Sequence, residues 1–290
     1  MTLEFSILTR TALRLPFLER ARVGLEAAAP GSAEWIICDD APEGTPGMAA
    51  FVEAARHALP FEVRLVETRS ASRPRAANGA LAAARGRLVH LHDDDDTVEP
   101  AFYRRTAAFL DARPDCGGVA VLCDRVDEEL ARDGTFRTLR RRPHYHEIRS
   151  VGLLSMATTQ TVPPIGFVAR RSVLDAVGPF DESLSVCEDH EYFLRFLLQA
   201  DIGLVRERLA AFHHRPSPEQ PGACNSLAST DHEAQDARFR TLMLRRDMAQ
   251  GGMGLGWLLA LGEMNRPAWR RKVFLRRLGR RLPTAIARRL

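Results

Sequence analysis

Lysine is all but missing from this sequence: Lys272 stands alone among 41 basic residues, and the rest are arginine. That bias reflects genomic base composition rather than a function. Cysteine is scarce and odd in number. Cys38, Cys116, Cys123, Cys187 and Cys224 contain no Cys-x-x-Cys pair, which fits reduced thiols in a cytosol better than a disulfide framework. No window approaches the roughly eighteen uninterrupted apolar residues of a membrane span. The start, MTLEFSILTR, lacks the basic and apolar regions of a signal peptide. The phosphate-cradling loops Gly-x-Gly-x-x-Gly and Gly-x-x-x-x-Gly-Lys-Ser/Thr are absent too, so there is neither a dinucleotide fingerprint nor a P-loop.

What is there suits a soluble globular protein. The 290 residues are 45% hydrophobic and 27% charged, enough for one large domain or two small ones. The net charge of +4 hides an asymmetry. Ten basic and no acidic residues lie in 266–290, which leaves 31 basic against 37 acidic in residues 1–265, a net of −6. An acidic body argues against nucleic acid as a partner.

Short apolar runs alternate with helical patterns through the first half. Leu3–Leu8, Glu34–Cys38, Phe61–Glu67 and Leu88–His92 read as strands. Pro16–Ala28, Gly47–Leu59, Pro74–Arg85 and Pro100–Ala112 read as the helices between and after them. This rhythm predicts an α/β fold with a mostly parallel central sheet flanked by helices. Beyond Gly117 it loosens. Gly118–Asp124 reads as a strand, Arg125–Ser150 as charged irregular chain, and Tyr192, Phe193, Phe196 and Leu197 as one face of a helix. Pro216–Thr230 reads as a loop, and the remainder as helical.

The stretch LVHLHDDDDTVEP, Leu88–Pro100, carries the chemistry. In an open α/β sheet, ligands bind beyond the carboxyl ends of the strands. Three of the expected ends are polar: Thr9–Arg10, Asp39–Asp40 and Asp93–Asp96. Carboxylates packed this closely raise one another's pKa unless positive charge sits among them. A divalent cation is the economical partner, since Mg²⁺ or Mn²⁺ takes one or two carboxylates and completes its shell with water and phosphates. Without a glycine-rich loop, a nucleoside diphosphate would depend on such an ion. The alternative is a solvated acidic loop capping the helix at Pro100.

Three blocks resemble the GT-A-fold glycosyltransferases of family 2, which typically invert and use nucleotide sugars. They are WIICDDAP, NGALAAARGRLVHLHDDDDTVEP and VGPFDESLSVCEDHEYFLRF, and the resemblance spans residues 3–215 in the family's order. It implies a GT-A (Rossmann-like) catalytic domain over 1–220, nucleotide-binding to residue 100 and acceptor-binding from 101, then a helical extension over 221–290. Thr9 and Asp39 would contact the nucleotide base, with Arg10 and Asp40 adjacent. Arg73 or Arg75 would lie near the base or phosphates, and Asp93 or Asp94 would meet the ribose. Asp95 would bind the metal with Asp96 in support, and His214 or His213 would complete the site. Asp189 would be the general base and Glu188 would assist acceptor binding. The chain departs from the family at Ala77, where an arginine often precedes the Asn, and at His90 and His92, where apolar residues are usual. Each of these histidines reads as a satisfied core residue, or, for His92, as a group that tunes the acidic run.

The implied activity is transfer of a sugar, with inversion, from a UDP-, dTDP- or GDP-linked donor to a hydroxyl of a glycan, lipid-linked or small-molecule acceptor. Mn²⁺ or Mg²⁺ would assist departure of the nucleoside diphosphate, in bacterial glycan or glycoconjugate biosynthesis. A nucleotidyltransferase making nucleotide sugars would show a glycine-rich loop after the first strand, and TRTALRLPF has none. An inactive nucleotide- or glycan-binding module would be expected to lose the acidic run or Glu188–Asp189, and both are intact.

In the tail, Trp269, Val273, Phe274, Leu278 and Leu282 recur at helical spacing among arginines. That reads as an amphipathic helix bringing residues 265–290 to an anionic membrane surface, or as one packed on the acidic body. The expected location is the cytoplasm, peripheral at the inner face of the membrane.

Overall fold

The computed structural model describes residues 3–131, 133–215 and 232–279. Its first half runs β1 (Phe5–Thr11), α1 (Leu15–Ala28), β2 (Ala33–Asp39), α2 (Met48–Ala58), β3 (Glu62–Glu67), α3 (Arg73–Ala83) and β4 (Leu88–Leu91). β1 pairs in parallel with β2 and β4, and β2 with β3. Successive side chains point to opposite faces of a strand. Phe5, Ile7, Trp35 and Ile37 therefore join a core with α1 and α2, while Leu8, Ile36 and Cys38 join a second core with α3. Burial on both faces is why these strands read as nearly unbroken apolar runs.

The second half continues β5 (Thr97–Val98), α4 (Phe102–Ala112), β6 (Cys116–Leu130), β7 (Phe136–His144), α5 (Leu153–Thr158), β8 (Phe167–Arg170), α6 (Arg171–Val177), α7 (Glu188–Gln199), β9 (Asp201–His214), α8 (His232–Gln250) and α9 (Leu255–Gly279). The strand order is β3-β2-β1-β4-β8-β6-β9-β5, with β7 attached to β6. Past β4 the sheet is mixed. β8 is antiparallel to both β4 and β6, whereas β6 and β9 run parallel.

Residues 125–150, expected to be irregular, are largely a hairpin. β6 changes partner along its length, pairing with β8 through Gly118–Ala120 and with β7 from Cys123 to Leu130. Most β7 side chains are exposed. With no buried face, the strand has no apolar alternation to read. This hairpin and β9 curl toward the acidic run, and β5 pins the run in place by pairing Thr97 and Val98 with Ala211 and Ala210.

Helices α8 and α9 pack on each other and on α5, and Phe239, Met243 and Leu259 join the second core. The side chains of Trp269, Val273, Phe274 and Leu278, all of Leu282, and the expected loop Pro216–Thr230 lie outside the described residues. No helix among the described residues is long and apolar enough to cross a membrane. Cys38, Cys116, Cys123 and Cys187 are free thiols; Cys224 lies outside the described residues.

His90 is a satisfied core histidine. Its Nε2–H donates to the Ile165 carbonyl at 3.0 Å and its Nδ1 accepts from the Tyr103 hydroxyl at 3.0 Å. Burial pushes its pKa well below the ordinary value. The folded chain thus keeps His90 neutral, while the unfolded chain protonates it below about pH 6.5. The stability linked to that neutral ring is complete above this pH and is lost as the pH falls. The stability gap between wild type and His90→Gln should narrow by about 2 kcal/mol from pH 7 to pH 5 in urea titrations. A gap that stays constant would contradict this.

Candidate functional site

A cavity of about 450 Å³ opens at the carboxyl edge of the sheet. Its lining includes Arg10, Arg14, Asp40, Arg73, Asp93, Asp94, Asp95, Asp96, Asp189, His213, His214 and Arg215. The chain thus meets the run of like charge with its own guanidinium groups.

Arg10, near the end of β1, forks onto both oxygens of Asp93 at 2.8 and 2.7 Å and reaches Glu188 at 3.2 Å. Burial opposes the Arg10 charge, but pairing with Asp93 more than offsets it and raises its pKa. Burial likewise pushes Asp93 up, and Arg10 overrides it and holds that carboxyl low. Asp94 accepts from the Thr11 hydroxyl at 2.7 Å and pairs with Arg14 at 2.9 Å. Burial nonetheless pushes it up to about 7, with the Asp95 charge adding to the effect. At Asp95, Arg14 (2.8 Å) and Arg215 outweigh burial and hold the carboxyl far below the usual range. Asp96 is raised by burial and by Asp95, although the His213 backbone N–H donates to it at 2.8 Å. The mutual repulsion is therefore relieved by arginines on Asp93, Asp94 and Asp95, while burial and the Asp95 charge raise the pKa of Asp94 and Asp96.

A second layer holds these arginines. The guanidinium groups of Arg14, Arg20 and Arg215 lie 4.3, 5.7 and 5.0 Å from the Phe17 ring centre, within cation–π range. Glu128, from the β6–β7 hairpin, accepts from Arg20 at 2.7 Å, His213 Nδ1 at 2.6 Å and Arg215 at 3.4 Å.

On the facing wall, Cys187 starts α7 with φ at 61°. That left-handed conformation costs a non-glycine residue on the order of 1 kcal/mol. It is followed directly by Glu188 and Asp189. Glu188 is buried and pairs with Arg10 and, at 3.3 Å, with Arg73. Asp189 Oδ2 accepts from Gln160 Nε2 at 2.9 Å, and its Oδ1 accepts from the His190 backbone N–H at 2.9 Å.

Two expected base contacts face inward instead of lining the cavity. Thr9 is fully buried and accepts from the Trp35 indole at 2.8 Å. Asp39 caps the following turn, accepting from the Thr45 amide at 2.7 Å and the Thr45 hydroxyl at 2.8 Å. Asp40 does line the cavity, and its carboxylate gathers Thr68, Ser70 and Ser72, the loop leading to Arg73. Arg73 reaches the cavity, whereas Arg75 is exposed and pairs with Glu182. His92 donates Nδ1–H to the Asp93 carbonyl at 3.0 Å, and burial lowers its pKa to about 4. Arg14, Gln160, Glu128 and Arg215 were not foreseen. Only Arg215, next to the His213–His214 pair, had a sequence signal beside it.

Among the described residues no group of three or more His, Cys, Asp or Glu side chains is gathered for a metal. A hard cation bound together with a diphosphate needs only one or two protein donors. Both Asp95 ion pairs use Oδ2, and His214 Nε2 is buried without a partner. His214 Nδ1 lies 2.8 Å from Arg125 and 3.2 Å from Asp127 Oδ1. Arg125 can only donate, so the shorter contact makes Nδ1 an acceptor and puts the proton on Nε2; a metal on Nε2 would need the other tautomer, with Nδ1–H donated to Asp127. Asp95 and, in that second tautomer, His214 are the donors this cavity offers a Mg²⁺ or Mn²⁺ ion.

The family model described as "Glycosyltransferase like family 2" matches residues 35–202. Among solved structures, S. aureus TarS 1–349 in complex with UDP-GlcNAc is similar with a TM-score of 0.65 and 20% identity, over 91% of this chain and 72% of that one. Against a longer S. aureus TarS chain the match covers 43% of its length, with 19% identity and a TM-score of 0.61. The mannosyltransferase PcManGT from Pyrobaculum calidifontis, in complex with GDP-Man and Mn²⁺, is similar with a TM-score of 0.60 and 16% identity, over 91% of this chain and 70% of that one. At these identities the likeness is one of fold, and it bears out the GT-A architecture of a central sheet flanked by helices. No curated protein matches the sequence.

Proposed function

Because this chain belongs to glycosyltransferase-like family 2, we infer that it moves a sugar from a nucleoside-diphosphate donor to an acceptor hydroxyl, with inversion at the anomeric carbon. One observation carries the reading: Asp189, the acidic run and four arginines meet in a single cavity at the carboxyl edge of the sheet.

Asp189 acts as the general base. Gln160 and the His190 N–H hold its two oxygens, so the carboxylate is fixed in direction while lone pairs remain for the acceptor hydroxyl. It takes the hydroxyl proton as the acceptor oxygen attacks the anomeric carbon, and the nucleoside diphosphate departs from the opposite face. Arg14, Arg73 and Arg215 surround the diphosphate and offset its growing charge. Arg10 ties Asp93, at the ribose end, to Glu188, at the acceptor end. Asp95 and His214, with Asp96 behind, would hold a Mn²⁺ or Mg²⁺ ion whose charge aids departure of the leaving group. The acceptor belongs to a glycan, a lipid-linked intermediate or a small molecule, and residues 265–290 hold the enzyme at the inner face of a membrane.

Thermal shift with UDP, GDP and dTDP, each with and without Mn²⁺ or Mg²⁺, tests the reading. One nucleotide should raise the melting temperature, and more so with metal, since a ligand at 100 times its Kd adds about 2.7 kcal/mol. No response to any of them would count against a donor site.

A further inference from the structure

Ten large apolar side chains are exposed among the described residues, and five of them fall between Met248 and Met264. They are Met248, Met253, Trp257, Leu261 and Met264; Met253 is 82% and Met264 80% exposed. A helix advances 100° per residue, so Trp257, Leu261 and Met264 share one face of α9. The opposite face is clamped. A Cβ on Gly256 would stand 2.3 Å from the Leu244 backbone of α8, and one on Gly262 would stand 2.3 Å from the Ala157 carbonyl of α5. Leu259, between them, is fully buried. Two close backbone contacts hold the helix in rotation, so the exposed stripe is a built feature of the surface.

Along the chain from Met248 the charge is almost all positive. Glu263 is the only acidic residue from 248 onward, and it pairs with Arg266 at 3.1 Å and Arg240 at 3.5 Å. The chain then continues into the ten basic residues of 266–290. A second copy pressed on this face through a two-fold axis would bring like charges together. An anionic lipid surface takes both features at once, with Trp, Leu and Met at the acyl boundary and arginines at the phosphates.

We propose that Met253, in the turn before α9, and the Trp257–Leu261–Met264 face of α9 together form a membrane-docking surface that seats the enzyme on anionic lipid. This extends the reading that residues 265–290 meet the membrane, and the two are tested separately. The full chain, a truncation lacking 265–290, and the variant Met253→Gln/Trp257→Gln/Leu261→Gln/Met264→Gln are sedimented with phosphatidylcholine vesicles, with and without phosphatidylglycerol. All four substituted residues are exposed, so the variant should melt as wild type does. The full chain should bind only the anionic vesicles, and the quadruple variant about ten-fold more weakly. Wild-type binding by that variant overturns the proposal; if the truncation alone loses binding, the tail reading survives without it. A full chain that ignores anionic vesicles overturns both. A dimer seen by light scattering that dissociates in the variant overturns the proposal by assigning the face to a second copy.

Discussion

Asp189→Asn should lower turnover by about 10² to 10⁴, the usual contribution of a positioned general base, while nucleoside diphosphate still raises the melting temperature. The amide keeps the size of the carboxyl and an oxygen for the Gln160 or His190 donor. It cannot take a proton from the acceptor. Gln160→Leu should separate orientation from basicity. It removes one of the two donors that hold the carboxylate in direction, so turnover should fall about ten-fold while nucleoside diphosphate still raises the melting temperature. The charges around Asp189 stay in place in this variant: Arg10 from β1, Glu188 and His190 on α7, and Asp236 and Arg240 of α8 beyond His190. Near-wild-type transfer by Asp189→Asn would remove it as the base. An inactive Asp189→Asn beside a fully active Gln160→Leu would leave the base and dismiss the helper.

Arg10→Met should be the most damaging single change to the fold of the site. Arg10 is buried, and its loss strands Asp93 and Glu188 as carboxylates without their main cation. Breaking a buried pair in this way costs about 3–5 kcal/mol, far beyond the effect of an exposed pair such as Arg75–Glu182. Urea unfolding should show that loss, and nucleotide should no longer shift the melting temperature. Adding Glu188→Gln should recover part of the stability, because one stranded charge is then removed. A loss below about 1 kcal/mol would mean that water had reached the pair and screened it.

The sequence and the structure divide the credit unevenly. The first half was legible because each strand buries both faces and each crossover helix shows its own period. Helix α1, for example, was expected from Pro16 to Ala28 and runs Leu15–Ala28. Residues 125–150 were not legible, because β7 buries neither face and so leaves no pattern. Among the site residues, Asp93–Asp96 and Glu188–Asp189 stood out because charge in short runs is conspicuous. Gln160 did not, since a lone amide in an unpatterned segment looks like any polar residue. Glu128 was hidden in the charged hairpin, where nothing in its neighbours marks it as the group that holds Arg20, His213 and Arg215.

Local chemistry alone therefore determined that this chain would form an α/β sheet with its acidic run at a strand end. That much follows from side-chain period and charge spacing, which are short-range properties. Which partners meet the run was decided only in three dimensions. Arg10 and Arg14 come from the first strand and the turn after it, Arg215 from the end of the last strand, and Gln160 and Asp189 from the wall opposite. Their sequence separations from Asp93–Asp96 reach 120 residues, as for Arg215 and Asp95. Only the curl of β6 and β9 closes that distance, which is why a run of like charges that repel along the chain becomes a neutralised site in the fold.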